Sequence, residues 1–153
     1  MRIFVFLHVA TMFTAVAAAI GPGYLLHRIG QSADVPTIRR SFALAAPVFM
    51  AIPILFTAGA ALGIVAIFTN GLNPFQPFLL IAYVMFVMAT FVGIRYNSPW
   101  FKRVVQLSAD SPDAAPSVEL TAALHEPAMR WVDWFDRVII LAFVFDMVVK
   151  PFS

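Results

Sequence analysis

Apolar positions fall into long unbroken runs along this chain, not into the one-faced or alternating patterns of elements that keep a wet side. One run goes from Ile3 to about Leu26 and closes with His27 and Arg28; a second goes from Ser41 to about Phe68; a third goes from about Gln76 to Ile94. No Asp, Glu, Lys or Arg occurs between Arg40 and Arg95, a gap long enough for two hydrocarbon crossings at roughly 20 residues each. A fourth run is shorter. Its uncharged part is Val138 to Phe145, so it reaches crossing length only if it begins near Trp131 and ends near Phe152. Trp131 and Trp134 favour that placement, because indole rings prefer the headgroup boundary. The pattern predicts an all-α integral membrane bundle of four transmembrane helices in one domain, with spans at about 3–27, 41–68, 76–95 and 131–151 and a polar loop at about 98–130.

Breakers punctuate these runs. Gly21-Pro22-Gly23 should loosen or kink the first helix, and Pro47 and Pro53 should bend the second, since proline removes a ladder donor. Asn70-Gly71-Leu72-Asn73-Pro74 predicts a tight turn. The third helix should stop at Arg95-Tyr96-Asn97-Ser98-Pro99, because the residue before a proline avoids helical backbone. Beyond it, Trp100, Val104 and Leu107 fall at helical spacing with Lys102, Arg103 and Gln106 turned elsewhere, which suits a short interfacial helix or an ordinary loop. Ser108 to Ser117 reads as a linker, and Ser117 as the cap of a helix running towards Pro127. The first residues also resemble a secretory signal, with Ala17-Ala18-Ala19 as the cleavage site, but the apolar run continues past it and favours retention as a span.

Composition sharpens the class. Of 153 residues, 61% are hydrophobic and 12% charged, where a soluble domain is about half apolar and about a quarter charged. There are no cysteines, which removes disulfides, thiolate metal sites and a cysteine nucleophile. The net charge of +2 is small and its basic residues sit at the ends of apolar runs, so the expected partner is the lipid bilayer and not nucleic acid. Arg28, Arg39 and Arg40 lie in one loop and Arg95, Lys102, Arg103 and Arg130 in another. The positive-inside bias therefore predicts both loops in the cytoplasm and both termini outside, in a multi-pass protein of the plasma (inner) membrane.

Candidate chemistry gathers near one membrane level. His8 enters the first span, and Asp146 lies one helical turn before Lys150 on the last. Ionisable groups at such depth turn inward and find partners. The expectation is that His8 points into the bundle and is held by Asp146, with Lys150 snorkelling outward on the same face as Asp146. Met12, Ala15, Ala19 and Pro22 share the helix face of His8, and small residues there admit another helix closely. Gly59 and Gly63 form a small-xxx-small pair on the second span, expected to pack within the bundle. His27 reads as interfacial beside Arg28, and His125 as a loop residue beside Glu126. The scattered methionines read as packing.

Phe6-Leu7-His8-Val9, the four-span layout with its tight middle turn, and the ending Asp146-Met147-Val148-Val149-Lys150-Pro151-Phe152 together resemble a family of small bacterial integral membrane proteins of unknown function. The leucine-histidine pair also resembles the copper-resistance D-type proteins and the membrane-bound protoporphyrinogen oxidases, in which the equivalent histidine is thought to meet copper or haem. That resemblance carries over His8 alone. Ala15 stands at the Trp-like spacing, and the glycines come later, at Gly21 and Gly23. The sequence thus leads to a non-enzymatic membrane component, such as an accessory subunit or small-solute handling protein, with no cofactor and with copies of itself or other membrane subunits as partners. The alternative is a haem- or metal-associated redox protein using His8, with Met12 or Lys150 as a second ligand.

Overall fold

A computed structural model describes residues 2–32 and 34–149. These form α1 (Arg2–Ser32), α2 (Val35–Thr69), α3 (Pro77–Val92), a π turn (Gly93–Asn97), α4 (Ser98–Asp110), α5 (Val118–Leu124) and α6 (Pro127–Val149). No strand occurs among the described residues. The all-α reading holds, and Ile3–Gln31, Val35–Thr69 and Pro77–Asp110 are each long and apolar enough to cross a membrane. The chain is a multi-pass membrane protein. Its exposed surface carries the apolar side chains that such a solvent requires: Phe13, Leu44, Met50, Ile54, Ile94 and Leu141 all face outward.

The fourth run differs from the first three. It forms the C-terminal part of α6, but Asp133, Asp136, Arg137 and Asp146 interrupt it, so three helices, not four, combine crossing length with a nearly charge-free stretch among the described residues.

Several boundaries also move outward from the spans read in the sequence. The first helix continues past residue 27 to Ser32, and α2 begins at Val35, before the Ser41 expected from hydropathy. Asp34 causes the early start: its side chain accepts from the Thr37 N–H at 2.8 Å, and Pro36 occupies the first turn, where a missing N–H costs nothing. The Thr37 backbone N–H, and after it the Thr37 hydroxyl, hold the exposed Asp34 carboxyl below its ordinary value. Helices α1 and α2 run through Pro22, Pro47 and Pro53 without a break in helical assignment.

The third helix does not stop before Pro99. It widens into the π turn and continues as α4, with Pro99 in the first turn of the new segment. A proline ring clashes with the carbonyl one turn earlier in an α-helix; shifting to the wider π spacing moves that carbonyl aside and lets the rod continue. The resulting 34-residue helix is about 51 Å long at 1.5 Å per residue. Helix α2, with 35 residues, is about 52 Å long. Both exceed the roughly 30 Å hydrocarbon layer, so each protrudes unless strongly tilted.

One end of these rods carries the main core. Leu26 of α1, Val35, Ile38 and Phe42 of α2, Phe101 and Val104 of α4, and Leu120, Ala123 and Leu124 of α5 form one buried cluster. Phe42 and Phe49 both stack on Phe101, with ring centroids 5.6 and 4.2 Å away, which zips α2 to α4. Ser117 accepts from Leu120 N–H at 3.1 Å and starts α5, as its position suggested. We call this the basic end. At the opposite end Gly71, at φ +66°, makes the left-handed step of the α2–α3 connection, and Asn73 Oδ1 accepts from Phe75 N–H at 3.0 Å. A small cluster of Ile67, Phe78 and Leu79 closes this turn end.

Candidate functional site

The helices pair as α1 on α2 and as α6 on α3 and the π turn. The first pair is the closer, and its sequence explains why. Ala15 on α1 is fully buried, and α2 offers Gly59 and Gly63 one helical turn apart. A Cβ at Gly59 would stand 2.5 Å from Met12 Sδ, and a Cβ at Gly63 would stand 2.9 Å from the His8 ring. The two glycines are thus the groove into which His8 and Met12 fit, an intramolecular use of the small-xxx-small pair.

Within that groove His8 Nδ1 lies 2.7 Å from the Gly59 carbonyl oxygen. A carbonyl only accepts, so Nδ1 carries the proton and donates, and in the neutral ring Nε2 keeps its lone pair. The His8–Asp146 hydrogen bond expected from the sequence does not form. Helix α1 presents His8 to α2, whereas α6 buries Val132, Ile139 and Asp146 at seven-residue steps on one face and packs along α3. Hydropathy could not separate these pairings, because both need only an inward polar face. Lys150 lies outside the described residues.

Asp146 is 2% exposed, and neither carboxylate oxygen has a hydrogen-bond partner among the described residues. Gln76 Oε1, at the start of α3 and likewise towards the turn end, is also buried without a partner among the described residues. A buried, unpartnered carboxylate is costly as an anion, and such groups in membrane helices default to functional candidates. Deeper towards the basic end, α6 gains a polar clamp: Asn97 Nδ2 of the π turn donates to Asp136 Oδ2 at 2.8 Å.

One polar residue with three long-range contacts was not singled out by sequence reasoning. Arg39 donates from Nε to the Ser108 carbonyl (2.9 Å), from Nη2 to the Ser111 carbonyl (2.8 Å), and from Nη1 to Asp113 Oδ1 (2.9 Å). Read as a topogenic charge, it is also the cap of α4, a role that only the long-range fold reveals. Among the described residues no group of three or more His, Cys, Asp or Glu side chains is placed to hold a metal ion. Searches of protein-family models, curated proteins and solved structures find nothing that matches the chain.

Proposed function

We propose that the chain is a non-enzymatic membrane component, an accessory or small-solute handling subunit, whose activity is linked to protonation of Asp146. The observation that carries this reading is the burial of Asp146 on α6 with both oxygens unpartnered among the described residues. In a medium that penalises an isolated anion by a few kcal/mol even on the mildest scale, such a side chain either holds a proton or meets a cation supplied from outside the bundle. In this proposal α6 is a fourth span, the basic end lies in the cytoplasm, both termini lie outside, and the protein resides in a bacterial inner membrane like the small four-span proteins it resembles. The charge asymmetry supports that orientation.

Infrared difference spectroscopy on the lipid-reconstituted protein after a pH jump tests the proton link. A protonated-carboxyl band that appears in the wild type and is missing from Asp146→Asn supports it. Identical difference spectra for the two proteins would reject it.

A second reading, a haem- or metal-associated redox protein, draws on one observation. The bond from His8 Nδ1 to Gly59 orients the imidazole and leaves Nε2 with its lone pair, the arrangement in which a backbone carbonyl fixes the tautomer of a ligating histidine. An absorption spectrum of the purified protein discriminates: a Soret band lost in His8→Ala favours this second reading, and a colourless preparation favours the first.

A further inference from the structure

At the basic end, two segments that are distant in sequence, the end of α1 and the α5–α6 junction, converge on a cleft of about 300 Å³ lined by His27, Gln31, Leu124, His125, Glu126 and Arg130. Its polar groups are already oriented. Gln31 Nε2 lies 2.9 Å from His27 Nε2; the amide nitrogen only donates, so His27 Nε2 accepts and its Nδ1 carries the proton. His125 Nδ1 lies 2.9 Å from the Thr121 carbonyl and donates to it, which leaves Nε2 on the open side of the ring. The one carboxylate of the cleft, Glu126, faces Arg103 at 3.8 Å, and that partner offsets its charge. Arg130 forms no ion pair among the described residues and is exposed. The lining therefore combines one uncommitted guanidinium with the second amide hydrogen of Gln31 and the Nδ1–H of His27, a donor set suited to phosphate oxygens.

The surroundings fix the level of this cleft. Trp131 and Trp134, next to Arg130 and one turn on, are 73% and 60% exposed and meet edge to face with centroids 6.5 Å apart. Arg137 lies over the Tyr24 ring at 5.9 Å across the space between α6 and α1. Exposed indoles and a phenol beside a cation mark the depth of lipid headgroups. Because α6 packs along α3 and α1 along α2, the space between α1 and α6 is bridged there by the Arg137 and Tyr24 side chains.

We propose that this cleft binds a phosphate group, with Arg130 as the charged contact and the remaining Gln31 amide hydrogen and the His27 Nδ1–H as positioning donors beside it. Basic pockets between membrane helices take anionic phospholipid heads in this way. The same chemistry would hold a soluble phosphate ester.

The test uses the full chain in detergent micelles. Native mass spectrometry counts retained phosphatidylglycerol against phosphatidylcholine, and isothermal titration measures glycerol 3-phosphate and inorganic phosphate. Wild type, Arg130→Gln and Gln31→Ala are compared, with circular dichroism showing that each variant keeps its helices. The expected result is preferential retention of phosphatidylglycerol, weakened about fivefold in Arg130→Gln, the loss of one basic contact near a lipid surface. Binding of glycerol 3-phosphate with the same Arg130 dependence, and no preference between the lipids, would support the phosphate site and assign it to a soluble ester. Folded variants that bind every probe as the wild type does would overturn it, as would a wild type that binds none.

Discussion

Arg39 Nε donates to the carbonyl of Ser108, 69 positions away in sequence, at 2.9 Å. The last carbonyls of a helix have no partner within the helix, and in α4 the guanidinium fork of α2 supplies one, then reaches Ser111 and Asp113 as well. Arg39 is therefore the latch between α2 and the end of the α3–α4 rod.

Arg39→Ala is expected to destabilise the basic end by about 2 kcal/mol, the scale of hydrogen bonds to a charged donor. Arg39→Lys should recover only part of this, because an ammonium cannot reproduce the planar fork. Asp113→Asn should have little effect, since the Arg39–Asp113 pair is surface-exposed, with the Asp113 side chain 72% accessible. Hydrogen exchange across residues 105–113 with thermal unfolding checks all three; equal protection in Arg39→Ala and wild type would contradict the latch.

The α1–α2 seam leads to a paired prediction. Gly63→Ala would push a methyl against the His8 ring, and overpacking of this kind costs about 1–3 kcal/mol. Gly59→Ala should cost less, because Met12 is flexible and can swing away. His8→Ala opens the space, so it should make Gly63→Ala nearly neutral in the double variant. A thermodynamic cycle from detergent unfolding measures the coupling, and strictly additive effects would mean that the seam is looser than described.

Trp100 Nε1 donates to the Ala123 carbonyl at 2.9 Å, joining α4 to the end of α5. Trp100→Phe keeps an aromatic beside Phe42 but leaves that carbonyl without this donor. A loss of about 1 kcal/mol is expected, with increased amide exchange confined to residues 118–125. Exchange that rises throughout the chain would indicate a general packing defect instead.

Asp34 gives a pH signature. Its carboxyl is held below the unfolded value by the Thr37 backbone N–H, so its contribution is present above the unfolded value near 3.9 and is lost as pH falls through the lower folded one. Amide exchange at Thr37, corrected for intrinsic rate, should accelerate on acidification in the wild type. Asp34→Ala should show the fast exchange already at neutral pH and no such step.

Much of this was legible in the chain. The charge-free interval from Arg40 to Arg95 dictated apolar helices, Asn70 to Pro74 dictated a turn, and Ser117 announced α5. What escaped was long-range. Hydropathy marks where a helix meets lipid but not where it ends in water, so α1, α2 and the α3–α4 rod all outrun their apolar stretches. Pro99 signals a stop by local rules, which the π turn circumvents. His8 was correctly placed among small residues, but its partner is a backbone carbonyl made accessible by the missing side chains of Gly59 and Gly63, a contact invisible to any search for complementary side chains. The convergence of His27 with His125 and Arg130 likewise depends on how α5 folds back.

Helix α2 anchors Val35, Ile38 and Phe42 in the core of the basic end and Ile67 beside the far turn, and it is one unbroken helix between them. A stiff rod fixed at both ends cannot change its inclination locally. If lipid of different acyl length alters the tilt of α2, as mismatch does for long helices, the basic end must travel with it, like the outer end of an oar pivoting in its rowlock. Spin labels on α5 and on the Gly71 turn, measured in bilayers of graded thickness, would record that coupled displacement as a change in depth with little change in separation.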